Sequence, residues 1–173
     1  MVRQCLDERT PFGLILALPS GVASVGCTAE ILEVFQKYPD GRSDILTVGR
    51  EPFRVRELHT EDPLLEGSVD YLEEASAEAL PRQAELLELY ETCYTLLFSE
   101  MPKELGELTQ GELTYAVAGS LPLGLFFKQQ LLEQRSEAER QERLVKYLRE
   151  WAPHLQEQKT PREGSGGDGP AVN

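Results

Sequence analysis

Apolar positions change their spacing along the chain near residue 80. Before it they come in short runs broken by turn residues, and after it they recur three and four apart. Phe12-Gly13-Leu14-Ile15-Leu16-Ala17-Leu18 is one unbroken apolar run, stopped by Pro19-Ser20-Gly21, and reads as a buried strand. Val25 to Tyr38 follows, with Ala29, Ile31, Val34 and Phe35 as apolar members, and periodicity leaves strand and helix both open there. Tyr38-Pro39-Asp40-Gly41-Arg42 is turn chemistry: proline fixes one φ, and Asp-Gly tolerates a positive one. Ile45 to Gly49 is β-prone. Phe53-Arg54-Val55-Arg56-Glu57-Leu58 alternates, and Leu65, Gly67, Val69 and Tyr71 repeat that period after Glu61-Asp62-Pro63. Residues 1–80 therefore predict a small antiparallel sheet or partial barrel, which needs another layer to lean on.

Residues 81–155 supply that layer as a bundle of about four helices. Pro81 suits a first helical turn, and Leu86, Tyr90, Cys93, Leu97 and Met101 then recur at helical spacing up to Pro102. Thr109-Gln110-Gly111-Glu112 has capping-box spacing ahead of Leu113, Ala116 and Val117. Pro122 is placed to open a further helix with Leu123, Phe126, Phe127 and Leu131. Ser136-Glu137-Ala138-Glu139 is a second capping box, before Leu144, Leu148, Trp151 and Leu155. Residues 156–173, with Gly164-Ser165-Gly166-Gly167, read as a disordered tail. The fold class is α+β.

Charge narrows the partners. The net charge of −13 over 173 residues is dispersed, so phosphates are repelled and nucleic acid is a poor partner. No apolar run reaches the roughly 18–20 residues that span a bilayer, so no membrane is expected. The N-terminus lacks the apolar core of a secretory signal. Cys5, Cys27 and Cys93 are odd in number and far apart, which suits reduced thiols and a cytoplasmic setting.

Catalytic patterns do not emerge. There is no Gly-x-x-x-x-Gly-Lys-[Ser/Thr] loop, no Gly-x-Gly-x-x-Gly and no Gly-x-Ser-x-Gly elbow, so neither a cofactor nor an enzyme activity is expected. The two histidines, His59 and His154, stand far apart without ligand-spaced neighbours; they read as a loop and a helix-end residue. Glu73-Glu74 reads as a solvated or turn pair in so acidic a chain. Arg50, Arg54 and Arg56 are the one local basic feature. Arg54 and Arg56 share a strand face and are spaced to meet phosphates or a partner's carboxylates, although pairing with Glu51, Glu57 or a neighbouring strand is the blander expectation.

An ordered series of motifs resembles a known family. Phe12-Gly13-Leu14-Ile15-Leu16, Val25-Gly26-Cys27-Thr28-Ala29-Glu30-Ile31, Asp40-Gly41-Arg42, Val48-Gly49-Arg50 and Phe53-Arg54-Val55 are similar to the N-terminal substrate-binding domain of Lon proteases. So are Ala118-Gly119-Ser120-Leu121-Pro122-Leu123, Lys128-Gln129-Gln130-Leu131-Leu132-Glu133 and Glu142-Arg143-Leu144. The resemblance implies a PUA-like β subdomain on a helical bundle, holding unfolded or exposed protein segments, with a protease or chaperone as partner. It implies a non-catalytic, stand-alone module without ATPase and protease domains. The PUA-like fold keeps RNA binding, through Arg50, Arg54 and Arg56, as the alternative. Two departures stand out. Glu51-Pro52 interrupts the approach to Phe53, which is expected to reshape a loop. The family also begins with two further β segments, so Met1 is expected to be an internal start with the natural gene beginning upstream.

Overall fold

A computed structural model describes residues 1–59, 65–75, 82–103, 105 and 111–159. A short helix α1 (Val2–Glu8) precedes four strands, β1 (Phe12–Leu18), β2 (Gly21–Lys37), β3 (Ser43–His59) and β4 (Glu66–Tyr71). Four helices follow: α2 (Gln83–Phe98), α3 (Leu113–Ser120), α4 (Leu125–Glu133) and α5 (Glu137–Lys159). The strands form one antiparallel sheet in the order β1-β2-β3-β4. α1 has no counterpart in the sequence reading, because seven residues without an apolar repeat carry no helical period.

Local chemistry sets the hairpins. Pro19-Ser20 makes the two-residue turn between β1 and β2, closed by the Leu18–Gly21 pair with Gly21 at φ 138°. At the other end the Tyr38 N–H donates to the Arg42 carbonyl at 2.8 Å and the Gly41 N–H to the Tyr38 carbonyl at 3.0 Å. The segment whose period left helix or strand open is strand, part of the 17-residue β2. Its β-branched Val22, Val25, Thr28, Ile31 and Val34 favour that pleat. Glu51-Pro52 does not break β3 either. The register shifts beside Pro52, and the Thr28 hydroxyl accepts the Glu51 N–H at 2.9 Å, holding the irregular stretch to its neighbour.

β1 departs from the expectation of a buried strand. Among the described residues it pairs on one side only, and Leu14 and Leu18 are exposed. The buried apolar residues of the sheet are few: Ala23, Val25, Ala29 and Phe53. The Phe53 ring occupies the space that Gly26 leaves open. A Cβ on Gly26 would lie 2.5 Å from the Leu14 carbonyl oxygen and 2.6 Å from that ring.

The main core is helical. Leu86, Tyr90 and Cys93 of α2 pack with Leu144, Val145, Leu148 and Leu155 of α5, and α3 and α4 add Val117 and Leu131. Each such Leu contributes roughly 1.5–3 kcal/mol by leaving water. α2 ends at Ser99, in a left-handed conformation (φ 59°), before Met101 and Pro102 are reached. Pro81, Glu61-Asp62-Pro63 and Thr109-Gln110 of the first capping box lie outside the described residues. α4 starts after Gly124, so Leu123 is buried in the preceding turn and Phe126 faces solvent. α5 continues to Lys159, four residues beyond the expected end of the bundle, passing through Pro153. The remaining tail lies outside the described residues.

Candidate functional site

The apolar stripes of α2 and α5 pack into the core, whereas Leu125 and Phe126 of α4 and much of the sheet stay uncovered. Leu14, Leu18, Leu32, Phe35, Leu46, Leu58 and Tyr71 are all exposed. One group of the sheet is on the distal half of the β2–β3 hairpin, where Leu32 is 55% exposed, Phe35 63% and Leu46 44%. The pairing explains it. Ile31 faces Thr47 and Glu33 faces Leu46, leaving Leu32 as an extra residue; Val34 faces Ile45 and Gln36 faces Asp44, leaving Phe35 as another. Two bulges three residues apart interrupt the alternation, and a bulge re-aims the side chain it carries. Large apolar side chains presented in this way suit an apolar binding partner.

The basic residues are split and paired. Arg50 reaches across to Glu30 on β2 at 2.7 Å. Arg56, itself a bulge residue, bonds Asp70 on β4, and Asp70 stands opposite Arg54 in the register. Arg54 and Arg56 thus converge on one carboxylate, while Arg50 belongs to a separate pair. The hydrogen bond from Arg56 is the main cause holding the Asp70 carboxyl below its ordinary range; burial works against it, and the charges of Arg56 and Arg54 assist. Exposed pairs of this kind contribute about 0–1 kcal/mol each. The pairing partner is a neighbouring strand, not Glu51 or Glu57.

The other candidates do not gather. Cys5, Cys27 and Cys93 are free thiols, and burial pushes the Cys93 thiol up to about 11. Burial also raises Cys27. His59 contacts the Ser68 hydroxyl at 3.3 Å, and His154 sits exposed near the end of α5. Among the described residues no group of three or more His, Cys, Asp or Glu is placed to hold a metal ion. No described helix is long and apolar enough to cross a membrane. The groove beside α4 and α5 is lined by Phe127 and Tyr147 but also by charges of both signs, Glu139, Glu142, Arg143 and Lys146.

Two features escaped the sequence reading. The Leu32, Phe35 and Leu46 surface could have been found in the run Ile31 to Phe35, whose apolar residues fall on both parities and so cannot all bury in a half-solvated strand. Glu74, though partly solvated, is also an ion-pair partner, bonding Arg140 at 2.6 Å. Its partner lies 66 residues away, and nothing local signals it.

Comparison with known proteins follows from this geometry. A model of the substrate-binding domain of the ATP-dependent protease La (LON) matches residues 1–150. The chain belongs to this family. Lon protease from Amoebophilus asiaticus (strain 5a2) is 31% identical over 136 residues, which cover 73% of this chain and 16% of that protein. The chain therefore spans about a sixth of that Lon protease. Among solved structures, the Lon N-terminal domain protein from Xanthomonas campestris aligns with a TM-score of 0.63 at 23% identity, covering 84% of this chain and 80% of that one. The N-terminal domain of Mycobacterium avium complex Lon protease aligns at 0.51, also with 23% identity, covering 79% and 77%. The Lon N-terminal fold is thus shared, in line with the PUA-like sheet on a helical half expected from the motifs.

Proposed function

We propose that this Lon-family chain is a non-catalytic module that holds exposed or unfolded protein segments on the apolar surface of its sheet. Unfolding and peptide cleavage belong to other domains or to a partner protease or chaperone, and the setting is cytoplasmic. The observation that carries this reading is the exposure of Leu32, Phe35 and Leu46 on the β2–β3 hairpin. A client segment covering them would remove apolar area from water without any chemistry at the site. The family's substrate-binding role supports the same reading. The RNA alternative is weaker, because Arg50 and Arg56 would have to exchange Glu30 and Asp70 for phosphates.

Light scattering of a thermally destabilised client tests the proposal. Wild-type chain should suppress aggregation, and the Leu32→Ser/Phe35→Ser double variant should need about tenfold or more protein for the same effect. Wild-type chain that leaves the scattering curve unchanged would sink the proposal.

A further inference from the structure

The two halves have separate apolar interiors. Every residue of the large buried cluster, from Leu86 to Leu155, lies in the helical half, while Ala23, Val25, Ala29 and Phe53 stay within the sheet. The described ties between the halves are largely polar. After β4 the chain runs along Arg135, whose Nη2 donates to the Leu72 carbonyl at 2.7 Å and whose Nε donates to the Glu73 carbonyl at 3.1 Å. The Arg135 carbonyl accepts the Ala75 N–H at 2.8 Å, and Ala75 bridges to Ser136 in parallel. Elsewhere the Gln129 amide of α4 donates to the Val25 carbonyl at 2.9 Å.

Glu74 closes this strap. Its carboxylate accepts Nη2 of Arg140 at 2.6 Å and Nη1 at 3.2 Å, a forked pair. The two partners differ in their surroundings. Arg140 is fully buried, whereas the Glu74 side chain is 37% exposed. Arg140 also holds Glu137, through Nη2 at 2.9 Å and Nε at 3.2 Å, and donates to the carbonyls of Gln134 and Gly111. Glu137 in turn accepts the Thr114 N–H and hydroxyl and the Gln141 amide. Losing Glu74 therefore leaves the buried cation paired with a buried anion, while Glu74 passes into water. That asymmetry removes the usual penalty of breaking a buried ion pair, which comes from stranding one charge. Tyr115, Gln134, Arg135 and Gln141 surround the pair, and each has a buried polar atom with no partner among the described residues.

We propose that Glu74 and Arg140 form a latch between the halves: when it opens, the 72–75 strap and the sheet detach while α2 to α5 stay folded. The latch is independent of what the sheet binds. Hydrogen exchange on the full chain tests it. In the wild type, the Ala75 amide, bonded across the strap to the Arg135 carbonyl, should open well before those of Leu86 to Cys93 and Leu144 to Leu148. Glu74→Gln should accelerate the strap amide about tenfold or more and leave the helical ones unchanged. Equal acceleration in both halves, or none at the strap, overturns the latch. Should Glu74→Gln fail to fold, the wild type in rising sub-denaturing urea decides. Strap and helical amides opening together at every concentration would then refute it.

Discussion

Gly26 shows how little room the sheet has. A methyl there meets the Leu14 carbonyl on one side and the Phe53 ring on the other, both closer than real Cβ contacts come. The ring is the far end of a side chain and can shift; the carbonyl belongs to the β1 backbone and cannot without opening the β1–β2 ladder. Gly26→Ala is therefore expected to destabilise the sheet by about 1–3 kcal/mol, the usual cost of overpacking. Urea unfolding followed by circular dichroism in the strand region checks it, and an unchanged midpoint would show that β1 gives way freely. By contrast Gly119 and Gly124 meet nothing within 4 Å and impose no such limit.

At the scale of elements, α4 is fastened to β2 through Gln129. Its side chain is buried, and its amide supplies a donor to a carbonyl that the strand pairing leaves available. Gln129→Ala would leave the Val25 carbonyl without that donor, and the expected loss is about 1–3 kcal/mol with the denaturant slope unchanged. Equilibrium denaturation measures both; a falling slope would indicate a loosened native state instead. The elements themselves were largely legible in sequence. Leu86, Tyr90 and Cys93 carry a helical period because one face of α2 is buried, and turn residues at 19–21 and 38–42 mark the β1–β2 and β2–β3 hairpins. What was not legible depends on tertiary pairing. The Glu137 carboxylate, from another helix, accepts the Thr114 N–H in the first turn of α3, and no spacing within α3 signals it. The exposure of β1 follows from which strand lies beside which, and spacing along one strand does not encode that. The arginine cluster was visible as residues, but its partners Glu30 and Asp70 are set by register.

For the molecule as a whole, 30 acidic residues face 17 basic ones. Among the described residues several basic side chains are already committed to ion pairs, so the excess charge is largely mutual repulsion at the surface. Raising NaCl from roughly 0.01 M to 0.15 M shortens the screening length from about 30 Å to 8 Å. Screening of the repulsion should outweigh the weakening of exposed pairs, so Tm is expected to rise across that range. Scanning calorimetry reads it directly, and a fall in Tm would mean that the ion pairs dominate. Solubility raises a related question, because an acidic protein that shows leucine and phenylalanine on an open sheet invites self-stacking into fibrils. The paired bulges of β2 answer it. Cross-β stacking needs flat, evenly pleated strands that repeat in register, and a hairpin carrying two extra residues within five positions twists too sharply to serve as a template. The irregularity that puts Leu32 and Phe35 within reach of a foreign chain also keeps identical copies from lying down on one another.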